Sequence, residues 1–250
     1  MNERWRLILD PPLSGRENMD RDMALMKEVL TGESLPLLRL YRWSKPTISL
    51  GRFQEIDQVV DLEACRKIGV DLVHRPTGGR AVLHDRELTY SIIVPEKHTF
   101  VSGSVLQAYR SISSGIINAF RQLKIDSEMT PVEESKPGPG RGSCFDRPSA
   151  FEIRVEGRKV VGSAQLRRDG VLLQHGAILF SLPLDLYRAV LMPDNRLQDS
   201  ITPDLLEEKA AGLHDLGYNV SYTQVERALV RAFAGAIPAI FTSLPRAAGF

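Results

Sequence analysis

The sequence contains one cysteine whose surroundings suit covalent chemistry. Cys144 directly follows Glu133–Ser143, EESKPGPGRGS, whose glycine, proline and charged residues predict an exposed, mobile loop. Arg141 and Arg147 flank the thiol, and nearby cations favour the thiolate, which is the nucleophilic form of cysteine. Cys144 is therefore a candidate nucleophile, although a lone cysteine is more often a buried structural residue. The other cysteine, Cys65, lies in a short helical pattern and is interpreted as a packing residue.

A second cluster of polar residue types runs over residues 74–85 and reads HRPTGGRAVLHD. Gly78 and Gly79 lack a Cβ, so their backbone could approach a ligand closely. Arg75 and Arg80 flank the glycines and could orient a carbonyl, a carboxylate or a phosphate. The same residues also fit a simple Gly-Gly turn with solvated arginines, and the pattern alone leaves both readings open.

Hydrophobic periodicity predicts the elements that must position these motifs. Helical spacing of apolar residues predicts five helices. The first contains Met19, Met23, Met26 and Leu30, and the next two cover residues 61–68 and 105–123. The fourth runs from Thr202-Pro203 to Gly217, and the fifth follows a capping box at Thr223–Glu226. Strand-like runs cover Leu37–Trp43, Thr47–Leu50, Val70–His74, Arg80–Leu83 and Leu88–Val94, and a three-strand meander covers Ala150–Val155, Lys159–Arg167 and Val171–Leu179. Together they predict one mixed α+β domain over residues 1–250.

Composition excludes several classes of protein. With 250 residues and a net charge of +1, the chain lacks the global basic signature of a nucleic-acid binder. No window approaches the roughly 18 continuous apolar residues of a membrane span, and the N-terminus lacks the apolar segment of a signal peptide. The two cysteines match no zinc spacing. We therefore expect a cytoplasmic protein with reduced thiols, no metal and no cofactor.

The segment RPTGGRAVLHD, residues 75–85, resembles the signature of the biotin/lipoate ligase and octanoyltransferase superfamily. Residues 144–149 (CFDRPS), 156–165 (EGRKVVGSAQ) and 173–176 (LQHG) follow in an order similar to the cysteine-loop branch of the octanoyltransferases. The resemblance runs from about residue 5 to the C-terminal helices. It implies a biotin/lipoate ligase-like catalytic domain with a mixed β-sheet flanked by helices.

The resemblance also implies an activity in lipoate biosynthesis. Such an acyltransferase moves octanoyl from octanoyl-acyl carrier protein to a lysine of a lipoyl domain, such as that of the glycine cleavage H protein, through a thioester on the cysteine. A thioester donor already stores the activation energy, so the transfer needs no ATP. Splitting the transfer through a covalent intermediate makes two easier steps.

By resemblance, Cys144 and Lys159 are the catalytic residues. The Lys159 ammonium could stabilise an oxyanion or the thiolate, or a desolvated amine could act as a base. A solvated lysine at a hairpin end is the simpler alternative. His84 could shape the acyl site, and His175 could equally be a hydrogen-bonded core histidine. The substrate-binding residues that the resemblance implies are Arg75, Thr77, Gly78, Gly79, Arg80, His84, Gly162, Ser163, Ala164 and His175.

Two departures separate the chain from the ATP-dependent lipoate ligases that it resembles. Those enzymes carry a third glycine where Arg80 stands, and they end the motif His-Asp-x-Gly-Asn, where this chain reads His-Asp-Arg-Glu-Leu over residues 84–88. Three alternatives remain open. They are an octanoyl amidotransferase between lipoyl domains, an ATP-dependent lipoate or biotin ligase, and a non-catalytic acyl-carrier-binding protein on the same fold.

Charge patterning suggests how the partners are recognised. Between residues 136 and 168 there are eight basic and three acidic residues. A basic rim around Cys144 would steer the carrier protein and the lipoyl domain, which are generally acidic in these families. The alternative is a strand face with solvated, alternating charges. The sequence does not indicate the oligomeric state, the preferred chain length or the acceptor.

Overall fold

The computed structural model describes residues 3–56, 60–130, 152–190, 203–237 and 239–243. The predicted loop Glu133–Ser143 and Cys144 lie outside these residues. In chain order the elements are β1 (Glu3–Leu9), α1 (Gly15–Thr31), β2 (Leu37–Tyr41), β3 (Thr47–Leu50), α2 (Leu62–Ile68), β4 (Asp71–His74), β5 (Val82–His84), β6 (Glu87–Pro95), α3 (Val105–Gln122), β7 (Glu128–Met129), β8 (Ile153–Val155), β9 (Arg158–Arg168), β10 (Val171–Leu179), α4 (Leu184–Val190), α5 (Pro203–Lys209), α6 (Tyr222–Ala236) and β11 (Ala239–Ser243).

Two sheets form the framework of the described residues. The larger has the strand order β11-β1-β2-β6-β10-β9-β8-β7, and the smaller has the order β4-β3-β5. In the larger sheet β1 runs parallel to both β11 and β2, whereas β6, β10 and β9 are antiparallel neighbours. The mixed α+β class is thus confirmed, but the strands around the glycine motif form a sheet of their own. They do so because β3 pairs with β4 on one edge and with β5 on the other.

Helices cover both faces of the larger sheet. Successive strand residues point to opposite faces, so Ile92 and Ile93 of β6 belong to different clusters. Ile92 packs in the cluster that α3 and α6 complete, whereas Ile93 packs with Leu25 and Met26 of α1. Burying these apolar stripes stabilises the fold by about 25 cal/mol per Å² of apolar surface. The predicted α1 stripe is right except at Leu30, which is 47% exposed.

The predicted meander is confirmed as β8, β9 and β10. Its two turns place Glu156-Gly157 and Asp169-Gly170 at positive φ, which is the conformation of two-residue hairpin turns. The meander matters for the site because β9 carries residue 159 at its start and residues 162–164 in its middle. Antiparallel pairing then sets Ala164 opposite His175 of β10.

The C-terminal predictions need two corrections. The helix that begins at Pro203 ends at Lys209, well before Gly217, because the backbone N–H of Ala211 donates to the Lys159 carbonyl and so leaves the helical pattern that Ala210 still follows. The last helix is capped by Ser221 with Gln224, two residues before the predicted box Thr223–Glu226. Among the described residues, no helix combines the length and apolar character that crossing a membrane requires.

Candidate active site

A small cavity, partly open to solvent, lies where the two sheets meet. One wall consists of small residues of β9 and β10, including Gly162, Ala164 and Ala177. At Gly176 a Cβ would come within 2.6 Å of the Gly162 carbonyl oxygen, so this strand pair tolerates only glycine there. The small side chains leave the space that larger residues would fill. The opposite wall is aromatic and includes Trp43.

A chain of hydrogen bonds from a hydroxyl to a carboxylate lines one part of the cavity. Ser49 Oγ of β3 lies 2.7 Å from His84 Nε2, and His84 Nδ1 lies 2.7 Å from Glu87 Oε1. A carboxylate only accepts, so Nδ1 donates to Glu87, and Nε2 is left to hydrogen-bond the Ser49 hydroxyl. We refer to Ser49, His84 and Glu87 as the β3 relay. Ser49 and His84 both line the cavity.

The histidine of the β3 relay is held in place on all sides. Its ring stacks on the Trp43 indole with 4.0 Å between centroids and 14° between planes. Glu87 Oε1 also accepts from Trp43 Nε1 at 3.1 Å and from the Thr89 hydroxyl at 2.6 Å. Glu87 is 1% exposed, and its Oε2 has no hydrogen-bond partner among the described residues. The carboxylate therefore concentrates its bonding on the oxygen that faces His84.

A second chain of the same kind reaches the cavity from β10. Thr77 Oγ1 lies 2.8 Å from His175 Nε2, and His175 Nδ1 lies 3.1 Å from Asp22 Oδ2 of α1. By the same reasoning Nδ1 donates to the carboxylate and Nε2 accepts from Thr77. We refer to Thr77, His175 and Asp22 as the β10 relay. His175 lines the cavity, whereas Thr77 is fully buried and is not part of its wall.

The carboxylate of the β10 relay belongs to a buried ion pair. Arg39 donates to Asp22 Oδ1 at 2.7 Å, and neither side chain has any exposed surface. Burial raises the pKa of Asp22, but the hydrogen bond from His175 and the charge of Arg39 outweigh it, so the pKa lies below its ordinary value. Burial lowers the pKa of His175, which the hydrogen bond to Asp22 only partly offsets. The ring is therefore neutral at pH 7.

Arg75 binds the protein's own carbonyl groups. Its guanidinium donates to the Ser49 carbonyl at 2.8 Å, and to the carbonyls of Gly78 at 2.8 Å and Arg80 at 2.6 Å. The same group reaches Ser49 Oγ at 3.2 Å. Residues 75–80 form a loop, called the loop below. Arg75 holds this loop closed through the Gly78 and Arg80 carbonyls and binds it to β3 through the Ser49 carbonyl.

Glycine is required in this region mainly by contact between two backbones. A Cβ at Gly51 would overlap the carbonyl oxygen of Gly79, because the turn after β3 packs directly against the loop. Gly79 itself has φ +91°, a left-handed conformation that favours glycine. At Gly78 a Cβ would meet nothing within 4 Å. The close approach of Gly78 and Gly79 to a ligand stays a prediction.

Lys159 is the second residue of β9 and is buried. It is 4% exposed, and its Nζ lies 2.5 Å from Glu152 Oε1, which is itself 5% exposed. The alternative of a solvated hairpin lysine is therefore wrong. Lys159 is therefore too buried to present its charge to solvent in the predicted basic rim, of whose basic residues Lys136, Arg141 and Arg147 lie outside the described part of the chain.

The structure brings together only part of the predicted site. The cavity is lined by the predicted residues Arg75, His84, Gly162, Ser163, Ala164 and His175. Thr77 touches the site through His175, and Lys159 is not part of the cavity wall. Cys65 is buried and burial raises the pKa of its thiol, as expected for a packing residue.

Sequence reasoning missed the carboxylates. Asp22, Glu87 and Glu152 each bind a predicted site residue. One signal was available, since Glu87 stands where the similar ligases have glycine in their motif. Among the described residues, no group of three or more histidine, cysteine or acidic side chains could hold a metal ion.

Residues 14–234 match the family model of the lipoyl protein ligase A/B catalytic domain. Among similar proteins, Octanoyltransferase LipM of Kyrpidia tusciae is 45% identical over 95% of this chain and 88% of its own length. Octanoyltransferase LipM of Staphylococcus aureus is 40% identical over 93% of this chain and 87% of its own, and that of Bacillus subtilis is 42% identical over 86% and 79%.

Solved structures of the same architecture carry different chemistry. A putative lipoate protein ligase from T. acidophilum with bound lipoic acid superposes with a TM-score of 0.74 at 26% identity, over 97% of this chain and 89% of that one. A lipoate-protein ligase A bound with ATP superposes with a TM-score of 0.76 at 26% identity, over 98% and 90%. Both confirm the expected ligase-like fold.

Proposed function

The chain belongs to the lipoyl protein ligase A/B catalytic domain family, and on this premise we propose that it is an octanoyltransferase of lipoate biosynthesis. The donor is octanoyl-acyl carrier protein, and the acceptor is a lysine of a lipoyl domain such as that of the glycine cleavage H protein. The observation that carries the proposal is the cavity. A wall of Gly162, Ala164 and Ala177 suits an unbranched alkyl chain, because it offers apolar surface without obstructing side chains.

The proposed reaction has two steps. The Cys144 thiolate attacks the donor thioester, so a C–S bond forms to Cys144 as the bond to the carrier thiol breaks. The acceptor amine then attacks the acyl-enzyme and forms the amide, and Cys144 leaves as thiolate. Lys159, which pairs with Glu152, would stabilise negative charge during these steps or act as the base toward the acceptor amine.

Sequence similarity favours transfer over ligation. The relatives that are 40–45% identical over most of the chain carry the name octanoyltransferase, whereas the lipoate ligases stand at 26%. Arg80 and Glu87 also replace glycines of the motif in the similar ligases. The amidotransferase alternative differs only in its donor, so the same cavity and cysteine would serve it.

The proposal is tested by the intact mass of the enzyme after mixing with octanoyl-acyl carrier protein without ATP. Wild type should gain one octanoyl group, and Cys144→Ala should gain none. Cys65→Ala is the matched control and should acylate like wild type, because Cys65 is buried in α2. Acylation of Cys144→Ala, or a requirement for ATP with free octanoate, would refute the mechanism. Acylation only by an octanoyl-lipoyl domain would establish the amidotransferase.

A further inference from the structure

The first turn of α3 presents two neighbouring apolar side chains to solvent. Val105 is 48% exposed and Leu106 is 46% exposed, whereas Ala108 and Ile112 further along the helix are fully buried. An isolated exposed apolar residue is ordinary on a protein surface, but adjacent ones create a patch that another protein can cover. The start of α3 is therefore a candidate contact surface.

The same part of the chain is basic. Residues 97–125 contain no aspartate or glutamate, although the whole chain has 31 of them. Arg110 is exposed and lies one helical turn after Leu106, so the two side chains share one face of α3. Arg167 of β9 is partly exposed and donates to the two backbone carbonyls that precede the helix, at 3.0 and 3.2 Å. It therefore places a second cation beside the apolar pair. We refer to Val105, Leu106, Arg110 and Arg167 as the α3 surface.

The α3 surface lies beside the opening of the cavity. Among the residues that line the cavity, Ser163 and Ala164 are partly exposed and the others are buried. The cavity therefore opens at the middle of β9. The Tyr109 hydroxyl lies 3.5 Å from the Ser163 carbonyl oxygen and donates to it. This contact joins the turn of α3 that follows Val105 to the strand at the opening.

We propose that the α3 surface is the docking site of the acyl carrier protein that donates the octanoyl group. The inference rests on the proposed octanoyl transfer and assigns the donor a place on the enzyme. Acyl carrier proteins are generally acidic, and Arg110 and Arg167 offer the opposite charge. Val105 and Leu106 offer apolar area of the kind that lies at the centre of protein interfaces.

The reach of the two substrates favours the carrier protein over the lipoyl domain at this surface. The carrier bears its acyl group on a long phosphopantetheine arm, which can extend from a neighbouring surface into the cavity. The acceptor lysine has only a four-carbon stem, so the lipoyl domain must bind closer to the acyl-enzyme. The residues of the α3 surface do not themselves line the cavity, which suits a substrate on a long arm.

The test compares two donors that differ in the presence of the carrier protein. Leu106→Asp and Arg110→Glu place negative charge on the α3 surface. Each should raise the KM for octanoyl-acyl carrier protein about tenfold and leave kcat unchanged, as measured by the rate of octanoylation of the lipoyl domain. Octanoyl-pantetheine carries the same thioester without the protein, so both variants should use it like wild type. Higher ionic strength should raise the wild-type KM for the carrier donor alone.

Two variants control for the substitutions themselves. Leu30→Asp makes the same change on α1, at a residue that is 47% exposed. Arg121→Glu reverses an exposed charge at the other end of α3, about 16 Å from Arg110 along the helix. Both controls should keep the wild-type KM for octanoyl-acyl carrier protein.

Three outcomes would overturn the docking site. They are an unchanged KM for the carrier donor in both Leu106→Asp and Arg110→Glu, equal losses with the two donors, and a KM raised for the lipoyl domain in place of the carrier. The last outcome would assign the α3 surface to the acceptor. Failure of wild type to acylate with either donor would instead overturn the proposed function, and the docking of its donor with it.

Discussion

The β3 relay and the β10 relay share a chemical plan but differ in how the carboxylate is compensated. Each runs from a hydroxyl through a histidine to a buried acid, with distances between 2.7 and 3.1 Å. Asp22 is neutralised by Arg39, whereas no lysine or arginine of the described residues forms an ion pair with Glu87. Asp22, which already has a cationic partner, has a structural role: it holds Arg39 and His175 in place.

The two relays also differ in the elements that they connect. Ser49, His84 and Glu87 all lie on strands, so the β3 relay is held by the two sheets. The β10 relay ties the loop of residues 75–80 to a strand and to α1. The first is therefore suited to constant geometry at the cavity, and the second to holding a loop in position.

The largest expected effect comes from breaking the buried ion pair between Asp22 and Arg39. Asp22→Asn leaves the Arg39 charge buried without its main partner, which costs about 3–5 kcal/mol when one member of a buried pair is removed. The free energy of unfolding in urea measures this loss. Asp20→Asn is the matched control on the same helix, because Asp20 is 73% exposed and should change stability by less than about 0.5 kcal/mol. Near wild-type stability of Asp22→Asn would contradict this structural role of Asp22.

A smaller effect is expected at the contact between the turn after β3 and the loop. Gly51→Ala places a Cβ on the Gly79 carbonyl, so the loop must move and strain the Thr77–His175 bond. Overpacking of this kind costs about 1–3 kcal/mol. Gly78→Ala should leave the free energy of unfolding nearly unchanged, because its Cβ meets nothing within 4 Å. Equal losses in urea unfolding of the two variants would show that the loop is not held in this way.

The smallest effect is a pH dependence of stability. Burial lowers the pKa of His175 below the value of 6.5 that it has in the unfolded chain, and the Arg75 and His84 charges act in the same direction. Below pH 6.5 the unfolded state therefore binds more protons, so stability is fully present above that value and falls as the pH is lowered. The slope contributed by His175 is at most about 1.4 kcal/mol per pH unit. Urea unfolding across this range should show a shallower slope for His175→Gln, and an unchanged slope would assign the loss to other groups.

Local patterns predicted most of the fold. The α3 periodicity, the Gly69 end of α2 and the β8–β10 meander are confirmed, because each depends on residues near one another in sequence. The pairing of β1 with β11 was missed, since it joins Glu3 to Ala239. The end of α5 was missed for the same reason, because Ala211 bonds to Lys159 of another strand.

The sequence by itself determined the mixed α+β class, the family resemblance and the residue types at the site. The spacing of apolar residues and the order of the motifs carry that information. Only the tertiary structure decided which acid each site residue meets: Glu87 for His84, Asp22 for His175 and Glu152 for Lys159. These pairings depend on strand register and helix packing across up to 153 positions of the chain. A short-range pattern does not record contacts between such distant parts of the chain, yet these contacts decide which carboxylate holds each site residue.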